Sequence, residues 1–307
     1  MASLVDFRPQ SLKFSQIGRS SKLFYDFQSR NDKEKEEIIH NKIQDTYNAG
    51  YRFNNTLSLH PLVFDTPILQ SEGDAFWYHL GPVIPFSTKD LEGRPQNRVD
   101  RFKEAVLPYL RKGALLEDIG TGNGARMIEL LLAAFSTYPN ARFGLVGTDI
   151  NLGNLTYATA LSHHLEMDSY CLWAHGNANE GPITDGYPNK LVLTSSLFTH
   201  LLSPKDLLRF LPKLGSALGP DDRAVVEVRL QGRGGELGKN FKHLLDCGDV
   251  TASAISGMVK AKEYVPGNFI DQEFLSSVLQ ISGLGIEKNI PLDDDRSHWD
   301  LLILKKQ

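Results

Sequence analysis

Apolar positions fall along this chain with two different periods, and the changes between them mark out its elements. Short continuous apolar blocks of strand length stand at Leu115–Ile119, Arg142–Gly147, Tyr170–His175, Lys190–Thr194 and Asp222–Leu230, each with glycine, proline or asparagine close by. Between them run stretches with apolar residues at helical spacing: Ala125 to about Phe135, about Leu152 to Glu166, and a segment beginning near Pro204. Asp271-Gln272-Glu273-Phe274 starts a further helix through Leu275, Val278 and Leu279. Strand and helix in alternation predict an α/β fold, a mostly parallel sheet with helices on both faces. Near the end, Gly283-Leu284-Gly285-Ile286 leads into a strand, and Trp299–Leu304 forms another that pairs with it antiparallel across Asp293-Asp294-Asp295.

Ahead of the first block the pattern is weaker. The run Asp32-Lys33-Glu34-Lys35-Glu36-Glu37 enters Ile38, Ile39, Ile43 and Tyr47, an apolar stripe with acids in its first turn, so a helix ending at Gly50 is expected, its charges a solvated face. Asn97 to about Arg111 carries Val99, Phe102, Ala105, Val106 and Leu110 on one helical face and feeds the first strand after Gly113. Residues 1 to about 30 show no period and are expected to be an arm that orders only where it packs on the rest. From Tyr51 to Pro95 the chain is irregular and rich in aromatics and prolines. The expected division is an N-terminal arm and cap over 1–96 and a catalytic domain over 97–307.

Composition narrows the partners. The 307 residues suffice for one large α/β domain and an appendage. With 33 basic against 37 acidic residues the net charge of −4 gives no electrostatic footprint for nucleic acid or an anionic membrane. The two cysteines, Cys171 and Cys247, cannot build a disulfide framework or a cysteine-rich metal site, which fits a reduced, cytoplasmic setting. Neither a signal-peptide core nor a run of about 18 apolar residues is present.

The candidate chemistry sits where the first strand ends. Gly120-Thr121-Gly122-Asn123-Gly124 turns sharply from strand into helix, and glycines at alternate positions let backbone approach a nucleoside-bearing ligand. The second strand delivers Asp149 at its end, followed by Ile150, where a carboxylate can accept ribose hydroxyls. The turn also fits the loose dinucleotide pattern. However, about 29 residues separate Gly120 from Asp149, against about 20 in that fingerprint. Asp118, two residues before the first glycine, has no use in a nicotinamide-binding turn and suits a cationic ligand.

In that form, Asp118 followed by Gly120, Gly122 and Gly124, the segment resembles motif I of the class I S-adenosylmethionine-dependent methyltransferases. The resemblance covers about Val99 to Leu304 and implies a Rossmann-like sheet of seven strands, mostly parallel, with the last strand antiparallel. It implies S-adenosylmethionine as cofactor and S-adenosylhomocysteine as product. Asp118 would serve the methionine end, with Thr121 and Ile150 lining the ligand beside the glycines and Asp149. Gly176-Asn177-Ala178 resembles the family's G-D-A segment, whose acid accepts from the adenine amino group; here Asn177 stands in its place, and an amide oxygen can accept the same bond. Thr194-Ser195 and His200 follow the fourth strand, at the family's motif IV beside the transferred methyl. A histidine there deprotonates the acceptor hydroxyl in plant-type O-methyltransferases, and an imidazole suits that work; other members carry one that only packs. The segment before the first strand is a lid in many members, so Trp77, Tyr78 and His79 either wall an acceptor pocket or anchor the cap. A small-molecule acceptor is expected, with O-methylation ahead of N- or C-methylation and secondary metabolism as the setting. Neither nucleic acid nor membrane is an expected partner, and the oligomeric state is left open, a homodimer included. The alternatives are a cofactor-retaining enzyme that catalyses a cyclisation or rearrangement without methyl transfer, a nicotinamide-dependent reductase, and a non-catalytic binding protein.

Other motifs have plainer readings. Gly232-Arg233-Gly234-Gly235-Glu236-Leu237-Gly238-Lys239 is not a phosphate loop, since Asn240 stands where Ser or Thr would hold magnesium. Asp293-Asp294-Asp295 reads as a solvated turn. His163 and His164 lie on one helix with Glu166, but as neighbours they do not share a face, so no metal cluster is expected there.

Overall fold

The computed structural model describes residues 7–48, 96–149, 152–184, 187, 189–194, 204–231, 270–292 and 299–307. The aromatic segment from Tyr51 to Pro95, Ile150, Ser195, His200, the glycine-rich stretch from Gly232 and the triple aspartate lie outside the described residues. The chain forms two compact units, 1–178 with 189–191, and 179–188 with 192–307. The two N-terminal helices pack within the first unit.

In the first unit, helix α1 (Phe14–Gln28) occupies what the sequence reading left as a periodless arm. Its buried face is Ile17, Ser20, Phe24 and Phe27; the polar Ser20 interrupts the stripe, and the exposed Phe14 and Tyr25 blur it. Before it, Gln10 and Phe143 exchange two backbone hydrogen bonds of 2.9 Å, tying the arm to the sheet. Helix α2 (Asp32–Asn48) starts with a capping box: Asn31 Oδ1 accepts from the Glu34 amide at 3.0 Å, and Glu34 Oε2 from the Asn31 amide at 3.3 Å. Helix α3 (Gln96–Val106) gives way to a 3-10 turn, Leu107–Leu110, where Pro108 supplies no amide hydrogen.

Strand β1 (Ala114–Ile119) leads through the glycine turn into α4 (Ala125–Thr137), β2 (Phe143–Asp149), α5 (Leu152–His164) and β3 (Cys171–His175). β2 pairs parallel with both β1 and β3, Gly147 lying opposite Trp173 and Asp149 opposite His175. β1 and β2 are buried throughout, as expected for strands covered on both faces. Strand β4 (Lys190–Thr194) is shared: its start belongs to the first unit, where Asn189 O accepts from the Leu115 amide at 3.1 Å.

The second unit takes up β4 from Val192 and adds α6 (Pro204–Ala217), β5 (Arg223–Gln231), β6 (Ile270–Asp271), α7 (Gln272–Ile281), β7 (Leu284–Pro291) and β8 (Trp299–Lys306). β8 runs antiparallel to both β5 and β7, with a register shift between Ile286 and Lys288. The strand order is β3-β2-β1-β4-β5-β8-β7, with β6 beside β5. Seven principal strands with a reversed last one are as the sequence predicts; β6 is extra, two residues being too few to show a period.

Candidate functional site: the glycine turn and its carboxylate

The turn is built from backbone conformations that side chains disfavour. Gly120, Gly122 and Gly124 have φ of 74°, 58° and 72°. Thr148 O accepts from the amides of Gly120 at 2.8 Å and Thr121 at 2.9 Å, which fastens the turn to the end of β2. Asn123 Oδ1 accepts from the Ala125 amide at 3.2 Å, satisfying one of the orphan donors at the start of α4.

Asp149 completes the arrangement. Its Oδ2 accepts from the Gly122 amide at 2.8 Å, and its backbone oxygen accepts from the Gly176 amide at 3.1 Å. The carboxylate thus orders the turn itself, a bond the sequence reading did not foresee. The second bond brings Gly176 and Asn177, just past β3, to the same strand end; Asn177 and Ala178 are half-buried. Asp118 is fully buried near the end of β1. Thr121 is 5% exposed, and its hydroxyl has no hydrogen-bond partner among the described residues.

The glycines differ in what they make room for. A Cβ on Gly122 would meet nothing within 4 Å, whereas one on Gly124 would lie 2.5 Å from Trp173 Cη2. Gly122 borders open space, the approach a ligand needs; Gly124 admits a side chain of the protein's own core, the close-packing role of a third glycine. Sequence reasoning passed over Trp173 as strand filling. Its signal was Gly147, since a glycine inside a strand marks a close approach.

In the second unit, Thr194 ends β4 with a buried hydroxyl that likewise has no hydrogen-bond partner among the described residues. Ile150, Ser195 and His200 fall outside the described residues. No group of three or more metal-ligating side chains occurs among the described residues, and none of the described helices is long and apolar enough to cross a membrane. His163 Nδ1 instead meets Asp168 Oδ2 at 3.0 Å. Burial pushes the Cys171 thiol far above its ordinary range, with Asp168 adding to the shift, so it stays protonated and unreactive.

No family model and no curated protein matches the sequence. Among solved structures, the mitomycin 7-O-methyltransferase MmcR aligns with 75% of this chain and 60% of its own, at 18% identity and a TM-score of 0.50. An O-methyltransferase family 2 protein from Planctomyces limnophilus DSM 3776, in complex with apigenin, aligns with 78% of this chain and 66% of its own, at 19% identity and a TM-score of 0.48. Magnesium protoporphyrin IX methyltransferase from Synechocystis PCC 6803, with bound SAH, aligns with 72% of this chain and 88% of its own, at 14% identity and a TM-score of 0.48. The chain spans less than two thirds of the mitomycin enzyme's length, and the likeness is one of fold. With its strand order, its reversed last strand and its glycine turn, the chain has the Rossmann-like fold of the class I methyltransferases.

Proposed function

We propose that the protein is an S-adenosylmethionine-dependent methyltransferase acting on a small-molecule acceptor. The observation that carries this reading is the hydrogen bond from the Gly122 amide to Asp149, with open space on the other side of Gly122. Strand ends of open parallel sheets are where such folds take ligands. On this reading Asp149 accepts from the ribose, Asn177 from the adenine amino group, and Asp118 faces the methionine end. The unpartnered Thr121 hydroxyl adds a polar group that a nucleoside can satisfy. The cofactor supplies a methyl on a positively charged sulfur, open to in-line displacement by an acceptor nucleophile. The protein's part is to orient the two and exclude water, which supplies most of the rate. An oxygen acceptor is favoured, in keeping with the fold neighbour named for 7-O-methylation of mitomycin, and His200 is the residue to take its proton. Secondary metabolism and a cytoplasmic setting complete the proposal.

Titration calorimetry with S-adenosylhomocysteine tests the core of it. Micromolar binding is expected, and indifference to that compound together with uptake of a pyridine dinucleotide overturns the reading. Incubation with methyl-labelled cofactor and candidate acceptors tests the reaction. Label should pass to the acceptor; an acceptor rearranged while the label stays on the cofactor assigns the chain to the non-methylating alternative. His200→Ala should slow turnover by about 100-fold or more without weakening cofactor binding, and full activity in that variant removes the base role.

A further inference from the structure

Trp173 is 2% exposed in β3, and its six-membered ring edge reaches across β2 to the underside of the glycine turn. A Cβ on Gly147 would lie 2.5 Å from its Cε3 and Cζ3, and 3.0 Å from the Thr121 methyl; one on Gly124 would lie 2.5 Å from Cη2. The indole Nε1 donates to Ser162 Oγ at 3.2 Å, and that hydroxyl donates to Thr159 O at 2.9 Å, so the ring's tilt is set from α5. The ring is therefore wedged between a helix and the Gly124 end of the turn, in space that only glycine at 124 and 147 leaves open.

We propose that Trp173 is a positioning residue: it sets the height of the glycine turn above β2 and so the alignment of the Gly122 amide with Asp149. Hydrogen bonds weaken steeply with misalignment, and a packed interior registers the loss of even a methylene. A smaller ring lets the turn sink and its amides open. The role in ligand binding rests on the adenosyl-cofactor reading above; the role in ordering the turn does not.

The test uses the full-length protein with Trp173→Phe, Ser162→Ala and, as a control, Phe135→Leu. Phe135 is fully buried in the last turns of α4, edge-on to Phe143 and Tyr170, so its truncation costs stability away from the turn. The first arm is hydrogen–deuterium exchange of the peptide containing residues 120–124 without ligand. Trp173→Phe should speed its exchange about tenfold, and Ser162→Ala less, while Phe135→Leu leaves it unchanged despite a comparable loss in Tm. The second arm is S-adenosylhomocysteine titration, with about tenfold weaker binding for Trp173→Phe and wild-type affinity for Phe135→Leu. Wild-type exchange of the turn in Trp173→Phe, or equal acceleration in Phe135→Leu, overturns the proposal. Should Trp173→Phe not fold, Ser162→Ala decides: exchange at the wild-type rate overturns it. If the first arm holds and the wild-type protein ignores the nucleoside, the cofactor reading fails and the positioning role stands.

Discussion

The parallel pair β1–β2 and the antiparallel pair β7–β8 use polar residues in opposite ways. Every position of β1 and β2 is buried, and Glu117, Asp118, Thr148 and Asp149 are among them. In β7 only Leu284 is buried, while Lys288 and Asn289 face solvent and Glu287 meets Arg223 of β5 at 2.7 Å. β7 ends the strand order, and charges along an edge strand discourage pairing with another chain. They need no further explanation. A carboxylate inside β1 costs several kcal/mol of desolvation before anything offsets it. Consecutive strand residues point to opposite faces, so Glu117 and Asp118 bury acid on both sides of the sheet. The two pairs thus differ in where their polar residues lie, and the buried ones gather toward the ends of β1 and β2, beside the glycine turn.

The largest expected effect breaks the carboxylate at that end. Asp149→Ala removes both the Gly122 anchor and the acceptor for a ligand, and should weaken S-adenosylhomocysteine binding by about 100-fold. Asp149→Asn keeps an oxygen for the Gly122 amide and should lose less. Wild-type affinity for the alanine variant in a calorimetric titration removes Asp149 from the site. Next come the two glycines. Gly124→Ala places a methyl against Trp173 at a left-handed backbone and should cost about 3 kcal/mol in urea denaturation. Gly122→Ala meets only the backbone penalty, about 1 kcal/mol, and should be felt more in ligand affinity than in stability. Equal costs for the two would mean that the ring beneath Gly124 is not what sets that residue apart.

These same residues show how far the sequence could be read. The strands were legible because buried parallel strands are uninterrupted apolar runs: β4 falls at Lys190–Thr194 as predicted, and β1 and β2 differ from expectation by a residue or two. The place of Asp149 at a strand end beside the glycine turn was legible because strand, turn, helix, strand and acid occur in that order at workable spacing. Helix α1 was not, since three buried apolar side chains over 15 residues leave too faint a stripe, and its packing on α4 is a tertiary fact. Trp173 was missed because its importance lies in which glycines stand beside it, and register between strands is not written in either strand alone. The bond that ties Asp149 to the turn was hidden likewise: it spans 27 positions and depends on the turn being formed.

On the β7 side, effects should be small. Arg223→Ala removes a partly exposed ion pair with Glu287, worth about 0.5 kcal/mol, together with guanidinium hydrogen bonds to the Pro220 and Asp222 carbonyls, and should leave ligand affinity unchanged; the ion-pair part of the loss should shrink in high salt. A change in affinity would contradict the contrast between the two strand pairs.

The smallest effect lies in neither pair but at the end of α5. The His164 ring is half-buried and 5.8 Å from that of Phe27. Burial holds its pKa below the ordinary value of 6.5, and the positive charges of Lys42, Arg30 and His163 push in the same direction. In the window just under 6.5 the unfolded chain therefore binds more protons at this site than the folded protein does, so stability rises with pH there. The contribution is fully present above that value and is lost as pH falls toward the lowered one. His164→Asn has no proton to bind, and its urea midpoint should fall less than the wild type's between about pH 7 and about pH 5.5. Parallel profiles for the two proteins would show that His164 is not the group responsible. S-adenosylhomocysteine affinity should be the same in both, because the imidazole touches neither the glycine turn nor Asp149 in the bonds that hold them.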